Sequence, residues 1–410
     1  MTQSECAFAR GWHETVLALL YNYHKLLVMR CAESPLPSVP VFRPKRGRFG
    51  MLCTVLLTLG RAIGADPTAE QQYWLELTNR FRTDPQAELE KLANFSSPGV
   101  WGSPKSDDPS IAYALNFFGT SAADLAAQFS SLAVAPPVAW SSALNASATD
   151  YSNLMVTSDQ QSHTLDGFSI DQRIENGGYS ANWLEVGENL FASTESVIHG
   201  HGGFVIDWGD GNGATAGYGN GIQNPAGHRD VLIHSLIKEI GIGFQDIAIP
   251  GSNVAAVGPY VVTQHFATEF RFDGSTYFAD AILTGSVYQD TIAADLFYTP
   301  GEGLAGATIN VYNDATGILV ASGFSNSAGG FNIALTGLTD GVVYRVEAPD
   351  TGLVAQTFTL NAHTEDYGAP VIFYDNVYSS FMMVPEPGGL LLCLVAAIPL
   401  LGFRSRRSVC

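Results

Sequence analysis

Between residues 66 and 387 the chain has no cysteine; Cys6, Cys31, Cys53, Cys393 and Cys410 all lie outside that stretch. This excludes disulfides, thiolate metal ligands and a cysteine nucleophile from the body of the protein. Basic residues are nearly as scarce, with 9 Lys and Arg against 36 Asp and Glu in the same stretch, a net charge of −27. Such a surface repels nucleic acid and anionic lipid and is compatible with a secreted protein that meets divalent cations. No Gly-x-Ser-x-Gly elbow and no His-Glu-x-x-His helix occurs, so serine hydrolysis and the commonest zinc-protease pattern have no support. What is present is a 46% apolar composition over 410 residues, enough for two packed domains.

Both ends read as addresses. "RPKRGRFGMLCTVLLTLGRAIGA" has a basic cluster (Arg43, Lys45, Arg46, Arg48), an apolar run from Met51 to Leu59 and small residues ending at Ala65. That is the layout of a secretory signal peptide, with an apolar run too short to span a bilayer. About forty residues precede it, which fits initiation at Met29 or Met51 or, alternatively, a true N-terminal extension; no fold is expected over residues 1–65. At the far end Pro385-Glu386-Pro387 is followed by about sixteen mostly apolar residues and then Arg404, Arg406 and Arg407. The order is that of a short hydrophobic helix with a positive stop on its cytoplasmic side, as in a plain C-terminal anchor. It resembles more fully the PEP-CTERM sorting signal of Gram-negative bacteria, which implies an exosortase-type partner, a transient membrane anchor and delivery to the cell surface or extracellular matrix.

Helices are expected before strands. "TAEQQYWLELTNRF" opens with Thr68 and Gln71 in capping-box spacing and puts Trp74, Leu77 and Phe81 on one face. Asp84 and Pro85 mark the start of a second helix, and Leu144, Ala148, Tyr151 and Met155 form the stripe of a third. "EIGIGF", "NVAAVG" and "YVVTQHFATEF" read as strands, so residues 66–272 are expected to form an α+β domain.

The blocks "LELTNRFRTDP", "VAWSSALNASATDYSNLM", "QSHTLDG", "VGENL", "GHRDVLIHSLIKEIGIG" and "TQHF" resemble, in order and spacing, the SCP-like domains of the CAP superfamily, most closely its bacterial branch. The resemblance covers about half the chain. It implies a three-layer α-β-α sandwich whose cleft holds two histidines and two acids and, in some members, zinc or another divalent ion. Carried over by motif, the histidines are His163 and His228 and the first carboxylate is Glu188. The fourth position is Asp207 of "FVID", one methylene shorter than the family's Glu.

Two histidines with one or two carboxylates suit zinc and leave positions for water, and the carboxylates can instead orient the imidazoles by accepting their second ring proton. The latter role is favoured for Glu188. For His228 the structural alternative is a helix end, capped by Asn224 and opened by Pro225, near which the ring merely packs or hydrogen-bonds. Glu188 has its own alternative, a carboxylate bonding turn amides after "VG". His199 and His201 of "HGHGGF" read as polar residues on the exposed side of a glycine-loosened helix, and His234 and His265 as helix-surface and strand residues. All four are left out of the site. The Gly- and Asn-rich stretch after Asp207 spaces Asp207, Asp210 and Asn212 loosely like calcium ligands but lacks the Glu at the twelfth position, so calcium is the lesser expectation.

Beyond a junction near 272–282, short strand patterns separated by turns ("GATINVYN", "ILVASGF", "GGFNIALTGL", "VVYRVEA", "AQTFTLNA", "VIFYD") predict a small all-β sandwich over 280–376. On "GEGLAGATINVY" and "SNSAGGFNIAL" it resembles the B-type and carboxypeptidase-regulatory-like modules of bacterial surface proteins. Of the acidic calcium loop of such modules only Asp290, Asp295 and Glu302 remain. The sequence thus predicts an exported two-domain surface protein with a sorting tail over 384–410. Its cleft is expected to bind a divalent cation or small ligand, in contact with extracellular matrix. The alternative is a metal-assisted hydrolase of extracellular polymer using His163, Glu188, Asp207 and His228.

Overall fold

The computed structural model describes residues 65–95, 103–209, 220–247 and 254–384. The signal-like segment and the Pro-Glu-Pro tail with its apolar run lie outside the described residues. Among the described residues no helix is long and apolar enough to cross a membrane.

The first unit is built on a four-stranded sheet of order β1-β3-β4-β2, comprising β1 (Ala139–Trp140), β2 (Trp183–Thr194), β3 (Glu239–Asp246) and β4 (Tyr260–Glu269). β3 and β4 are antiparallel, β4 and β2 are antiparallel, and β1 runs parallel to β3. "EIGIGF" explains why helices cover both faces. Ile240 and Ile242 point to one side, into a core with Trp74, Leu77, Phe81, Phe204 and Val205. Gly241 and Gly243 point to the other, where a Cβ would lie 2.0 Å from the Asn145 nitrogen and 2.2 Å from the Ala148 oxygen. The helix on that side therefore rests on bare backbone, a contact any side chain would break.

That helix is α5 (Ser142–Ser158), and Leu144, Ala148, Tyr151 and Met155 are its buried stripe. The opposite layer contains α1 (Ala69–Thr83), α2 (Pro85–Leu92), α3 (Pro109–Phe118), α4 (Ala122–Ser130), α7 (Val197–Ile206) and α8 (Gly227–Leu232); α6 (Ile170–Asn176) packs beside α5. Helix α1 starts with the predicted capping box between Thr68 and Gln71, and Asp84 caps α2 with Pro85 in its first turn. Each satisfies amides that have no partner inside the helix.

The second unit is entirely strands apart from one short 3-10 turn. β7 (Ile282–Gln289) pairs with β10 (Gly330–Ala334), β15 (Val377–Tyr378) and β16 (Phe381–Met383). A second sheet has the order β12-β11-β8-β9, from β8 (Thr308–Asn313), β9 (Leu319–Phe324), β11 (Val343–Glu347) and β12 (Gln356–Thr359). Leu283, Val287 and Phe331 from the first and Ile309, Val311 and Val346 from the second share one apolar cluster. A third sheet, β13-β14-β6-β5, places β5 (Arg271–Phe272) and β6 (Tyr277–Ala279) beside β14 (Pro370–Tyr374) and β13 (Ala362–Asp366). Its Ala279, Val371 and Phe373 pack on Leu184 of β2.

The two units meet through buried polar groups. Tyr378 donates its hydroxyl to the buried Glu76 of α1, and Lys238 donates its ammonium to the Tyr374 carbonyl. Asn376 donates to the carbonyls of Lys238 at 2.7 Å and Pro137 at 3.0 Å. Burial raises the Glu76 carboxyl and pushes Lys238 down to about 8. In the turn region of the second unit, one Glu302 oxygen accepts backbone N–H bonds from Thr291, Ile292 and Ala293 and the other from Thr299. Asp290 accepts from Asp295 and Leu296. These carboxylates are engaged in holding a turn.

Candidate functional site

Edge strand β2 carries the site, because alternate residues of an edge strand reach both sides of a sheet. Glu188 and Leu190 face the α5 side, where Leu190 packs with Tyr151 and Met155. Gly187 and Asn189 face the α8 side: a Cβ on Gly187 would meet Val231, and Asn189 donates to the His228 carbonyl at 3.2 Å.

On the α5 side, His163 Nδ1 lies 2.6 Å from Glu188 Oε1. Glu188 Oε2 accepts from Arg173 and from His265 Nε2, the latter at 2.8 Å. Arg173, in α6, also donates to both Asp166 oxygens and to the His163 carbonyl at 2.9 Å. Its guanidinium sits 3.7 Å from the centre of the Tyr151 ring, a cation–π geometry. The Tyr151 hydroxyl donates to Ser162 and accepts from Leu165, so the loop bearing His163 is held at both flanks. Burial would raise the Glu188 carboxyl, but hydrogen bonds from His163 and His265 and the Arg173 charge outweigh it and hold it at about 2. Burial pushes His265 below the ordinary imidazole value, so it acts at neutral pH as a neutral donor.

On the α8 side, Asp207 terminates α7 in the left-handed region, φ 58°, which an Asp tolerates better than most residues. That backbone turn aims its carboxylate across to α8. Oδ1 lies 2.7 Å from His228 Nδ1, and Oδ2 accepts from the backbone N–H groups of His228 at 2.9 Å and Arg229 at 3.3 Å. The shorter side chain therefore reaches its histidine. It also corrects the helix-end expectation: Asn224 and Pro225 precede α8, and a carboxylate from α7 does the capping. The same bonds yield a prediction. Asp207→Ala should cost about 2–3 kcal/mol, from the lost cap and the strain of a left-handed alanine, and Asp207→Asn less than about 1 kcal/mol. Urea unfolding of the two variants checks it.

The four predicted residues are thus two histidine–carboxylate pairs, one on each side of β2. In both, Nδ1 is engaged by the carboxylate, and no described residue bonds Nε2. The His163 side chain is 60% exposed and that of His228 20%. Every oxygen of Glu188 and Asp207 accepts at least one hydrogen bond. Among the described residues no group of three or more His, Cys, Asp or Glu is arranged to hold a metal ion. In each pair a carboxylate orients an imidazole, the arrangement in which metal-bound histidines are held.

His265, Arg173 and Asp166 were not legible as site residues. His265 sits in a strand, opposite Glu188 only because β4 pairs with β2 in that register. The scarcity of cations was the one available signal for Arg173: of the nine basic residues in the body, Arg82, Arg173, Arg229 and Lys238 are all buried. The "HGHGGF" expectation is also corrected. His199 and His201 are buried rather than exposed, and the glycines admit neighbours, a Cβ on Gly200 falling 2.7 Å from the Trp74 ring. His201 Nε2 lies 2.9 Å from Glu88 Oε1 in the core, apart from the cleft.

Residues 75–266 match the family model of CAP, the cysteine-rich secretory protein family. Among solved structures the chain is similar to an extracellular protein containing a SCP domain from Bacillus anthracis, at 19% identity and TM-score 0.23. That match covers 32% of this chain and only about a third, 34%, of the other. It is also similar to an outer surface protein from Borrelia burgdorferi, at 15% identity and TM-score 0.24, over 36% of this chain and 88% of that one. No curated protein matches it.

Proposed function

We propose that this is an exported CAP-domain protein of the cell surface or extracellular matrix whose cleft binds a divalent cation, zinc in preference to calcium, through Nε2 of His163 and His228. The observation that carries the reading is the matched pair of Nδ1–carboxylate bonds, Glu188 to His163 and Asp207 to His228. A carboxylate accepting the Nδ1 proton leaves the Nε2 lone pair outward, the form of imidazole that binds metal. Export is supported by the signal-like segment, the cysteine-free acidic body and the family match. The Pro-Glu-Pro tail supports sorting by an exosortase-type enzyme, with membrane attachment only through that tail. The β-strand unit serves in this reading as a spacer or matrix-contacting module of sandwich type.

The same bonds favour a second reading. An imidazole held by a carboxylate is also a general base, so the protein would hydrolyse extracellular peptide or glycan with water activated at the cleft. Metal analysis of the secreted protein beside the His163→Ala/His228→Ala double variant separates these outcomes. Zinc bound by the wild type and lost from the variant is expected. Metal retained by the variant refutes the site, and turnover in a peptide and glycan screen that the double variant lacks establishes the hydrolase.

A further inference from the structure

We infer that His265 is a positioning residue that fixes the tautomer and orientation of His163 through Glu188. His265 lies in the interior strand β4, fully buried, directly opposite Glu188 across the β2–β4 pairing and opposite Gly241 on its other side. Beside it the α5 backbone is packed directly on Gly241, and an aliphatic side chain in this interior would carry no polar cost. An imidazole there leaves Nδ1 buried without a partner, a cost that packing does not explain. Its Nε2 faces an ionised carboxylate oxygen, which only accepts, so Nε2 carries the proton.

The effect falls on Glu188. Arg173 approaches Oε2 from α6 and His265 approaches the same oxygen from within the sheet. Held from two directions, the carboxylate is prevented from rotating to exchange its oxygens, and Oε1 is left facing the loop. His163 is mostly exposed, and its one side-chain hydrogen bond to a described residue is to that oxygen. An exposed imidazole otherwise samples several rotamers and both tautomers; this one is tied to the Nδ1–H form by a chain that starts inside the sheet. The inference rests on the cation reading only for its purpose.

The test compares His265→Gln, whose amide nitrogen reaches about as far as Nε2, with His265→Asn, whose nitrogen falls short. Ring-15N-histidine NMR of the metal-free protein reads the tautomer, with His163→Gln identifying the signal. The wild type and His265→Gln should show His163 predominantly protonated at Nδ1, and His265→Asn should shift it toward the average of a mobile, solvent-exposed ring. Zinc titration calorimetry should show about 10-fold weaker binding for His265→Asn and near wild-type binding for His265→Gln, the scale usual for outer partners of metal-bound histidines. An unchanged His163 spectrum in folded His265→Asn overturns the inference. A shifted spectrum in a protein whose wild type binds no zinc upholds it and refutes the cation reading instead.

Discussion

Arg82→Met is expected to destabilise the protein by about 4 kcal/mol or more, one of the largest effects of any single substitution. Arg82 is fully buried with no carboxylate partner. Its guanidinium instead donates to four backbone carbonyls, those of Pro136 at 2.6 Å, Leu232 at 2.5 Å, and His234 and Ile237 both at 3.1 Å. These carbonyls belong to the segment entering β1, and to the last residue of α8 together with the turn between α8 and β3, so one side chain of α1 ties together three parts of the chain that are far apart in sequence. Methionine fills much of the space but donates nothing. Each abandoned buried carbonyl costs about 1–3 kcal/mol, and partial access of water recovers some of it. Urea unfolding at neutral pH measures the loss, and a difference below about 1 kcal/mol would show that water replaces the guanidinium readily. Arg82→Lys should recover little, because one ammonium has three donors and cannot span the same fork of acceptors.

Acid is expected to destabilise the fold through Glu88, and the sign follows from its environment. The carboxylate is buried, which alone would raise its pKa. Hydrogen bonds and charge from His201 and Arg80 outweigh burial and hold it at about 2, against an ordinary 4.5. A carboxyl depressed in the folded state contributes stability that is fully present above the unfolded value and lost as pH falls from about 4.5 toward 2. The shift corresponds to about 3 kcal/mol. Glu88→Gln should therefore be less stable than wild type by roughly that amount at neutral pH, with the gap closing as pH approaches 2. Urea midpoints collected from pH 7 to pH 2 supply the check. A gap independent of pH would mean that packing around Glu88, rather than its charge, provides the stabilisation.

The parts of the fold that were legible in sequence are those set by neighbours along the chain. The capping box at Thr68 and Gln71, the Asp84–Pro85 helix start and the stripe of α5 follow from periodicity and from amides that need partners within three or four residues. His163 and Glu188 were legible by motif. Their partner His265 was not, because strand pairing set it opposite Glu188, and register is a tertiary choice. Asp207 looked too short in sequence; a left-handed backbone at the end of α7 redirected its carboxylate and made it long enough. His199 and His201 were misplaced because a glycine-rich helix can be a loose surface element or one pressed on every side, and only the Trp74, Ile111 and Phe191 side chains against it decide.

By itself the sequence determined the cysteine-free acidic body, the order of helices before strands and the apolar faces, since these depend on composition and short-range spacing. The tertiary structure decided which carboxylate each imidazole uses, that both carboxylates act as hydrogen-bond acceptors, and that four of the nine scarce cations lie buried. The reason is physical: a buried charge or polar atom must find its partner wherever folding brings one, and for Arg82, Glu188 and Asp207 that partner lies between 15 and 155 residues away along the chain.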